Sequence, residues 1–236
     1  MAQSGIHAFS GVVLSKFLKN KKWFTSSLIF GSILPDIDIL LSAILFLFGS
    51  TINDAEAIHR TFTHSIFTVI IIYFIFLSIA EITSDKKFRT IGKGLCLGII
   101  IHIILDIFLW FHEISLLWPI QPYMIAPLDI WALTSLNNNE LLKKILLALE
   151  FILFRTYGWF LINSFIQSNH VKNSSWFIKY LTKWIKIELI VFISFLFLIY
   201  LNINIDIYKI FFTAIYIPSL IMALISTYIL RDVFNN

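Results

Sequence analysis

The residues able to do chemistry in this sequence fall into a few short patterns. His7 stands alone near the start. Gly31-Ser-Ile-Leu-Pro-Asp36-Ile-Asp38 sets two carboxylates just after a proline, and His59-Arg60-Thr-Phe-Thr-His64-Ser65 sets two imidazoles beside a guanidinium. Gly98-Ile-Ile-Ile-His102-Ile-Ile-Leu-Asp106 spaces an imidazole and a carboxylate four residues apart, and His112 follows six residues later. On a helix the i, i+4 spacing stacks His102 and Asp106 on one face, the geometry by which a rigid element offers two ligands to one cation. His and Arg together at 59–64 suit a metal plus an anion. The single cysteine, Cys96, excludes a disulfide framework and a Cys-based zinc site, so a metal must be held by nitrogen and oxygen.

These residues stand out because their surroundings are so apolar. Of 236 residues, 58% are hydrophobic and only 14% charged, against about 25% charged in soluble domains. A helix needs about 20 apolar residues to cross a hydrocarbon core, and the stretches 27–48, 65–83, 94–111, 145–166, 186–202 and 207–230 qualify. They read as helices, since backbone polar groups in lipid must be satisfied within the segment. The expected fold is all-α: a polytopic transmembrane bundle of six to seven spans, in one domain over 1–236, with a metal-site half at 4–120 and scaffold helices at 141–236. The segment from about Ser4 to Leu18 is read as an interfacial helix or, preferably, a seventh span paired with the next. The first residues lack a basic region and a small-residue cleavage site, so no cleavable signal is expected.

Basic residues cluster at Lys16 to Lys22, Lys86 to Lys93, Lys172 to Lys186 and Arg231. Such clusters mark the cytoplasmic side of a cell (inner) membrane. They place the C-terminus inside and raise His7 and Asp36 about 20 Å towards the outer face, on a rise of 1.5 Å per residue. The net charge of +4 is this topology signal, and no nucleic-acid partner is expected. Trp110, Trp118, Tyr123 and Trp184 at span ends read as interfacial anchors.

Ionisable groups within spans are costly and usually functional. Each pattern also has a plainer reading: His7 as a satisfied polar residue, and His102 with Asp106 as an interhelical hydrogen-bonding clamp. Glu150 and Arg155 can pair with each other or with a neighbouring helix, and stand outside the expected site. Five of the six histidines fall in the first half, interleaved with Asp36, Asp38 and Asp106, and that clustering favours a site.

The combination of His7, Leu34-Pro-Asp-Ile-Asp38, His59-Arg-Thr-Phe-Thr-His-Ser65, His102-Ile-Ile-Leu-Asp106 and Leu116-Leu-Trp-Pro119 resembles the predicted membrane-bound metal-dependent hydrolases. That prokaryotic family includes an SOS-regulated, LexA-binding inner-membrane protein, and the likeness covers about residues 4–120. The ligand order is also similar, by analogy, to that of zinc-dependent phospholipase C. The closing HxxxE pair of those enzymes has no counterpart here, so one or two ions are expected rather than three.

The resemblance implies a metal-dependent hydrolase, phosphoesterase-like, with one or two zinc or similar ions held by Asp36, Asp38, His59, His64, His102 and Asp106, and with His7 and His112 as further ligand candidates. Arg60 would neutralise a phosphate, and Asp36 or Asp38 would take the proton of a metal-activated water. Location in the membrane points to lipids as neighbours and to a lipid or lipid-linked phosphoester as substrate. Two other classes stay open: a non-catalytic metal-binding membrane protein of regulatory or structural role, and an ion transporter built on the proline-broken span.

Overall fold

The computed structural model describes residues 4–18, 23–50, 61–110, 114–120, 139–167 and 175–235. Its helices are α1 (Ser4–Ser15), α2 (Phe24–Ile33), α3 (Asp38–Leu47), α4 (Ile66–Thr83), α5 (Lys86–Leu105), α6 (Glu140–Gln167), α7 (Ser175–Tyr200) and α8 (Ile205–Ile229). Among the described residues, each of the six apolar stretches expected from the sequence is helical over most of its length. Five helices among the described residues are long and apolar enough to span a membrane: Phe24–Leu47, Ile66–Thr83, Lys86–Phe108, Glu140–Gln167 and Ile205–Ile229. The 26-residue α7 carries Lys179, Lys183 and Lys186 in its first half and Glu188 just past its midpoint, and only beyond Glu188 is it free of charged residues. At 12 residues, α1 extends about 18 Å, short of a roughly 30 Å hydrocarbon core. It is tucked against α2 and α6, with His7 and Ala8 fully buried, so it is neither a surface helix nor a complete span.

Two sequence features shape the part that holds the site. Pro35 has no N–H to donate, so the α-helical ladder cannot run through it. The chain tightens into a 3-10 turn over Leu34–Ile37 before resuming as α3. Just ahead of that turn, α2 lies against α5 at backbone distance. A Cβ added at Gly31 would run into the Leu95 carbonyl and one at Gly98 into the Leu28 carbonyl, while one at Gly94 would sit 2.7 Å from the Phe24 carbonyl oxygen. Small residues of this kind let membrane helices approach until side chains from one reach the backbone of the other.

The remaining framework is set by caps. Asp85 accepts the Lys87 N–H at 2.9 Å and opens α5, after Ser84 has closed α4 with φ 53. The two helices thus form a tight antiparallel pair. At the other end, Ser65 is the residue that caps α4, accepting from the Phe67 N–H. Its hydroxyl donates to the Trp118 carbonyl at 2.7 Å, and the Ile66 N–H donates to the Leu116 carbonyl. The Leu116 to Pro119 stretch is therefore tied to the turn that carries His64.

The core of the C-terminal half is aromatic. Phe151 of α6 packs on Phe195 of α7 and Phe212 of α8, with ring centroids 5.0 and 5.5 Å away. Trp184 corrects the expectation of an interfacial anchor: it is buried, 6.0 Å from the Phe154 ring, because it faces α6 rather than the bundle's rim. On α4 the outward side chains are apolar, with Ile71, Phe74 and Ile75 more than half or about half exposed. That is the surface of a helix bathed in lipid, where no hydrophobic effect drives such groups inward. Arg231, just past α8, lies over the Trp23 ring at the start of α2. The end of α8 and the start of α2 are thereby at one end of the bundle.

Candidate metal centre

The break at Pro35 puts Asp36 on a short turn at the end of α2, about 18 Å along from Phe24 by helical rise. His102 lies about 24 Å along α5 from Lys86 on the same reckoning, and the close α2/α5 contact brings it level with that turn. Asp106 begins a π-helical turn, Asp106–Trp110, a local widening often found at functional sites. His64 arrives from the 3-10 turn preceding α4, and His7 from α1. All five of these side chains are 0–1% exposed.

Their ligand atoms converge. His7 Nε2 is 3.1 Å from Asp106 Oδ1, and His64 Nε2 is 3.3 Å from Asp106 Oδ2. His102 Nε2 is 3.6 Å from both Asp36 Oδ1 and Asp106 Oδ2. The His64 and His102 Nε2 atoms face each other at 3.0 Å, and the His7 ring stacks on that of His102 at 3.8 Å. Two buried groups, His7 with His102 and Asp106, and Asp36 with His64 and His102, each keep their ligand atoms within 4.8 Å of one another and have the composition to hold a metal ion.

The tautomers follow from the outer partners. A carbonyl can only accept, so the 2.8 Å contact between His102 Nδ1 and the Ser32 oxygen makes Nδ1 the donor. Thr63 donates its hydroxyl proton to Asp38 Oδ2 at 2.5 Å, which leaves the Thr63 oxygen to accept from His64 Nδ1 at 2.9 Å. Both imidazoles therefore turn an Nε2 lone pair inward, towards each other and towards carboxylate oxygens. Such an arrangement repels itself unless positive charge sits within it. An aspartate at the centre of a membrane helix costs roughly 2.5–3.5 kcal/mol even on a lenient insertion scale, which makes the need for compensation concrete. Lys87, Arg89 and Lys144 are engaged elsewhere, with Asp85, Glu81 and Glu140. Apart from the His7–Asp106 ion-pair contact, Asp36 Oδ1 and both nitrogens of His7 have no hydrogen-bond partner among the described residues.

A proton can supply part of that charge. Burial opposes the charged form of His64, but the carboxylates of Asp106 and Asp38 outweigh it and hold the imidazole up at about 9 from an ordinary 6.5. A pKa raised by folding stabilises the folded state fully below the unfolded value, and that stabilisation fades as pH rises through the folded one. The metal-free protein is therefore expected to lose thermal stability between about pH 6.5 and 9. A cation bound in the same place removes the dependence, and a melting series with and without metal reads the difference.

Of the residues expected from sequence, His7, Asp36, His64, His102 and Asp106 are brought together. Asp38 sits one step out, 3.5 Å from His64 Nδ1, on the far side of the ring from the cluster. His59, Arg60 and His112 lie outside the described residues. Sequence reasoning missed Ser4, whose hydroxyl donates to Asp36 Oδ2 at 2.5 Å, and Tyr216, which touches both Ser4 and Asp36. It also missed Thr63 as a partner of Asp38 and the Ser32 carbonyl. Serine, threonine and tyrosine have no spacing signature, and a backbone carbonyl has none at all. Glu150 and Arg155 do not pair with each other in the described structure: Glu150 accepts the Gly5 N–H at 2.6 Å, and Arg155 donates to the Ile185 carbonyl.

The sequence profile of the family described as YdjM inner membrane protein matches residues 1–211. No curated protein and no solved structure matches the chain.

Proposed function

We propose, for a chain that belongs to the YdjM inner membrane protein family and is a multi-pass protein of the inner membrane, that it is a membrane-embedded metal-dependent hydrolase acting on a lipid or lipid-linked phosphoester. The observation that carries this reading is the pair of inward Nε2 atoms of His64 and His102, 3.0 Å apart and faced by Asp36 and Asp106. Ligand atoms about 2.0–2.2 Å from a common zinc ion are separated by roughly 3–3.6 Å, which is the spacing found. Nitrogen and carboxylate oxygen suit zinc. His102 is common to both candidate groups and has one usable nitrogen, its other being committed to Ser32. One ion is therefore favoured over two.

When bound, the ion supplies Lewis acidity and lowers the pKa of a water from 15.7 to about 7. The chain's own residues do the rest. Asp36 keeps Oδ2 on Ser4, and its Oδ1, without a hydrogen-bond partner among the described residues, faces the cluster to ligate the ion or, where Asp106 completes the set, to take the proton. Asp38 and Thr63 fix the ring of His64 rather than ligating. Arg60 is assigned the phosphate charge on its sequence position alone. The basic turns face the cytoplasm, and the site lies at the opposite, outer end of the bundle, where a lipid headgroup is within reach.

A second reading has its own observation. His7, Asp36, His64 and His102 are all 0% exposed, as closed structural metal sites are, and this favours a non-catalytic metal centre. Hydrolysis decides between them. Zinc-loaded protein in detergent–lipid micelles is expected to cleave a chromogenic phosphodiester or a phospholipid, and chelation is expected to stop it. Stoichiometric metal without turnover on either substrate would give the case to the non-catalytic reading. Thr63→Val, which removes the hydroxyl between Asp38 and His64, is expected to weaken zinc binding about 10- to 100-fold, the usual cost of losing an outer-shell partner. Competition with a chromophoric chelator measures it, and unchanged affinity would remove Thr63 and Asp38 from the account.

A further inference from the structure

The helices after residue 139 were expected to be scaffold, yet two of them reach the metal centre through the first turn of α1. Tyr216 of α8 and Ser4 hold each other by their hydroxyls, and the Ser4 N–H also points at the Tyr216 oxygen, 3.4 Å away. Ser4 in turn donates to Asp36 Oδ2. One direction of donation satisfies every member: Tyr216 O–H to Ser4, Ser4 O–H to Asp36, and Ser4 N–H back to Tyr216. The chain ends on the Asp36 oxygen opposite the one that faces His102. With Oδ2 held, Oδ1 is presented to the cluster at a fixed angle.

Glu150 of α6 acts one residue along. Its Oε1 accepts the Gly5 N–H at 2.6 Å, satisfying one of the donors that a helix start leaves open. The approach is close because Gly5 has no side chain: a Cβ there would sit 2.7 Å from the Leu153 Cβ and 2.9 Å from the Phe154 nitrogen. Ser4 and His7 are three residues apart and share a face of α1. Whatever fixes the first turn therefore also sets where His7 meets Asp106. Ser4, Asp36, Glu150 and Tyr216 are all fully buried, so water does not compete for these bonds. Tyr216 also lies beyond the family match, which ends at residue 211.

We propose that Tyr216 and Glu150 are positioning residues of the cation site, Tyr216 acting on Asp36 through the Ser4 hydroxyl and Glu150 acting on His7 through the first turn of α1. This rests on the metal-binding reading above. The C-terminal helices are then a working part of the centre, and its affinity is set in part by residues that do not face the cation, with Tyr216 also 3.4 Å from the outer oxygen of Asp36.

The test uses the full-length protein in detergent and zinc alone as probe, with affinity read by chelator competition and folding by thermal melts of the metal-free forms. Tyr216→Phe keeps the ring, which packs 5.3 Å from Phe212, and removes only the hydroxyl. It is expected to weaken zinc binding about 10-fold or more with little change in the metal-free melt. Glu150→Leu is expected to weaken binding similarly, and Glu150→Gln, which keeps an acceptor oxygen for Gly5, to restore it. Should Glu150→Leu fail to fold, Tyr216→Phe and Ser4→Ala carry the test, and both are expected to lose affinity together and not additively. Wild-type affinity in Tyr216→Phe or Ser4→Ala, or a Glu150→Gln loss as large as that of Glu150→Leu, overturns the proposal while leaving the metal site standing. A wild-type protein that binds no zinc overturns both.

Discussion

A His102→Ala protein is expected to lose its bound metal. The effect should exceed the roughly 10- to 100-fold cost of removing an outer-shell partner, because His102 is the one residue common to both candidate ligand groups. It is also the link between the helices, since its Nδ1 donates to the Ser32 carbonyl of α2. Alanine removes the donor to that carbonyl and one of the imidazoles that face Asp36 and Asp106, so the metal-free melt should fall as well. His102→Gln separates the two roles. Its amide can still donate to Ser32, so stability should partly recover while zinc affinity does not. Metal content near wild type in His102→Ala would mean that the cation is held elsewhere.

The second large effect is expected at a residue with no chemistry of its own. Gly98 packs where any Cβ meets the Leu28 carbonyl and lies 2.6 Å from the Ser32 nitrogen. These are backbone atoms, which cannot rotate away. Overpacking a core typically costs about 1–3 kcal/mol, and here the strain falls on the α2/α5 contact itself. Gly98→Leu is expected to push the helices apart, lower the melt by several degrees or more, and withdraw His102 from Ser32 and Asp36. Zinc affinity should fall with stability. Gly92→Leu is the comparison: its neighbour is the Phe76 side chain of α4, away from the centre, so it should disturb packing more than metal binding. A Gly98→Leu protein with the wild-type melt and affinity would contradict the packing account.

The i, i+4 pair of His102 and Asp106 was legible because helical periodicity alone stacks the two, and the structure has them on one face with their ligand atoms 3.6 Å apart. The level of His7 and Asp36 was legible from counting residues out from the basic turn. The placement of Asp38 was not. The 3-10 turn at Pro35 changes the direction of the side chains that follow it, and a count along an ideal helix cannot anticipate that turn. Glu150 and Arg155 are five residues apart, so about 140° separates them around a helix at 3.6 residues per turn, and each looks to a different neighbour. The short α1 was ambiguous because apolar content says that a helix avoids water and not whether it meets lipid or protein. Ser4 and Tyr216, 212 residues apart, meet only because α1 begins beside α8, a tertiary fact with no local trace.

The central claim is that a cation belongs between His64 and His102. The direct measurement is an anomalous difference map, collected at the zinc edge from crystals of the protein purified with zinc. The account predicts one peak, about 2.0–2.2 Å from both inward Nε2 atoms, with Asp36 or Asp106 completing the set. No peak there, with the two imidazoles still 3.0 Å apart, would show that a proton alone holds the cluster together and would contradict the metal-centred reading.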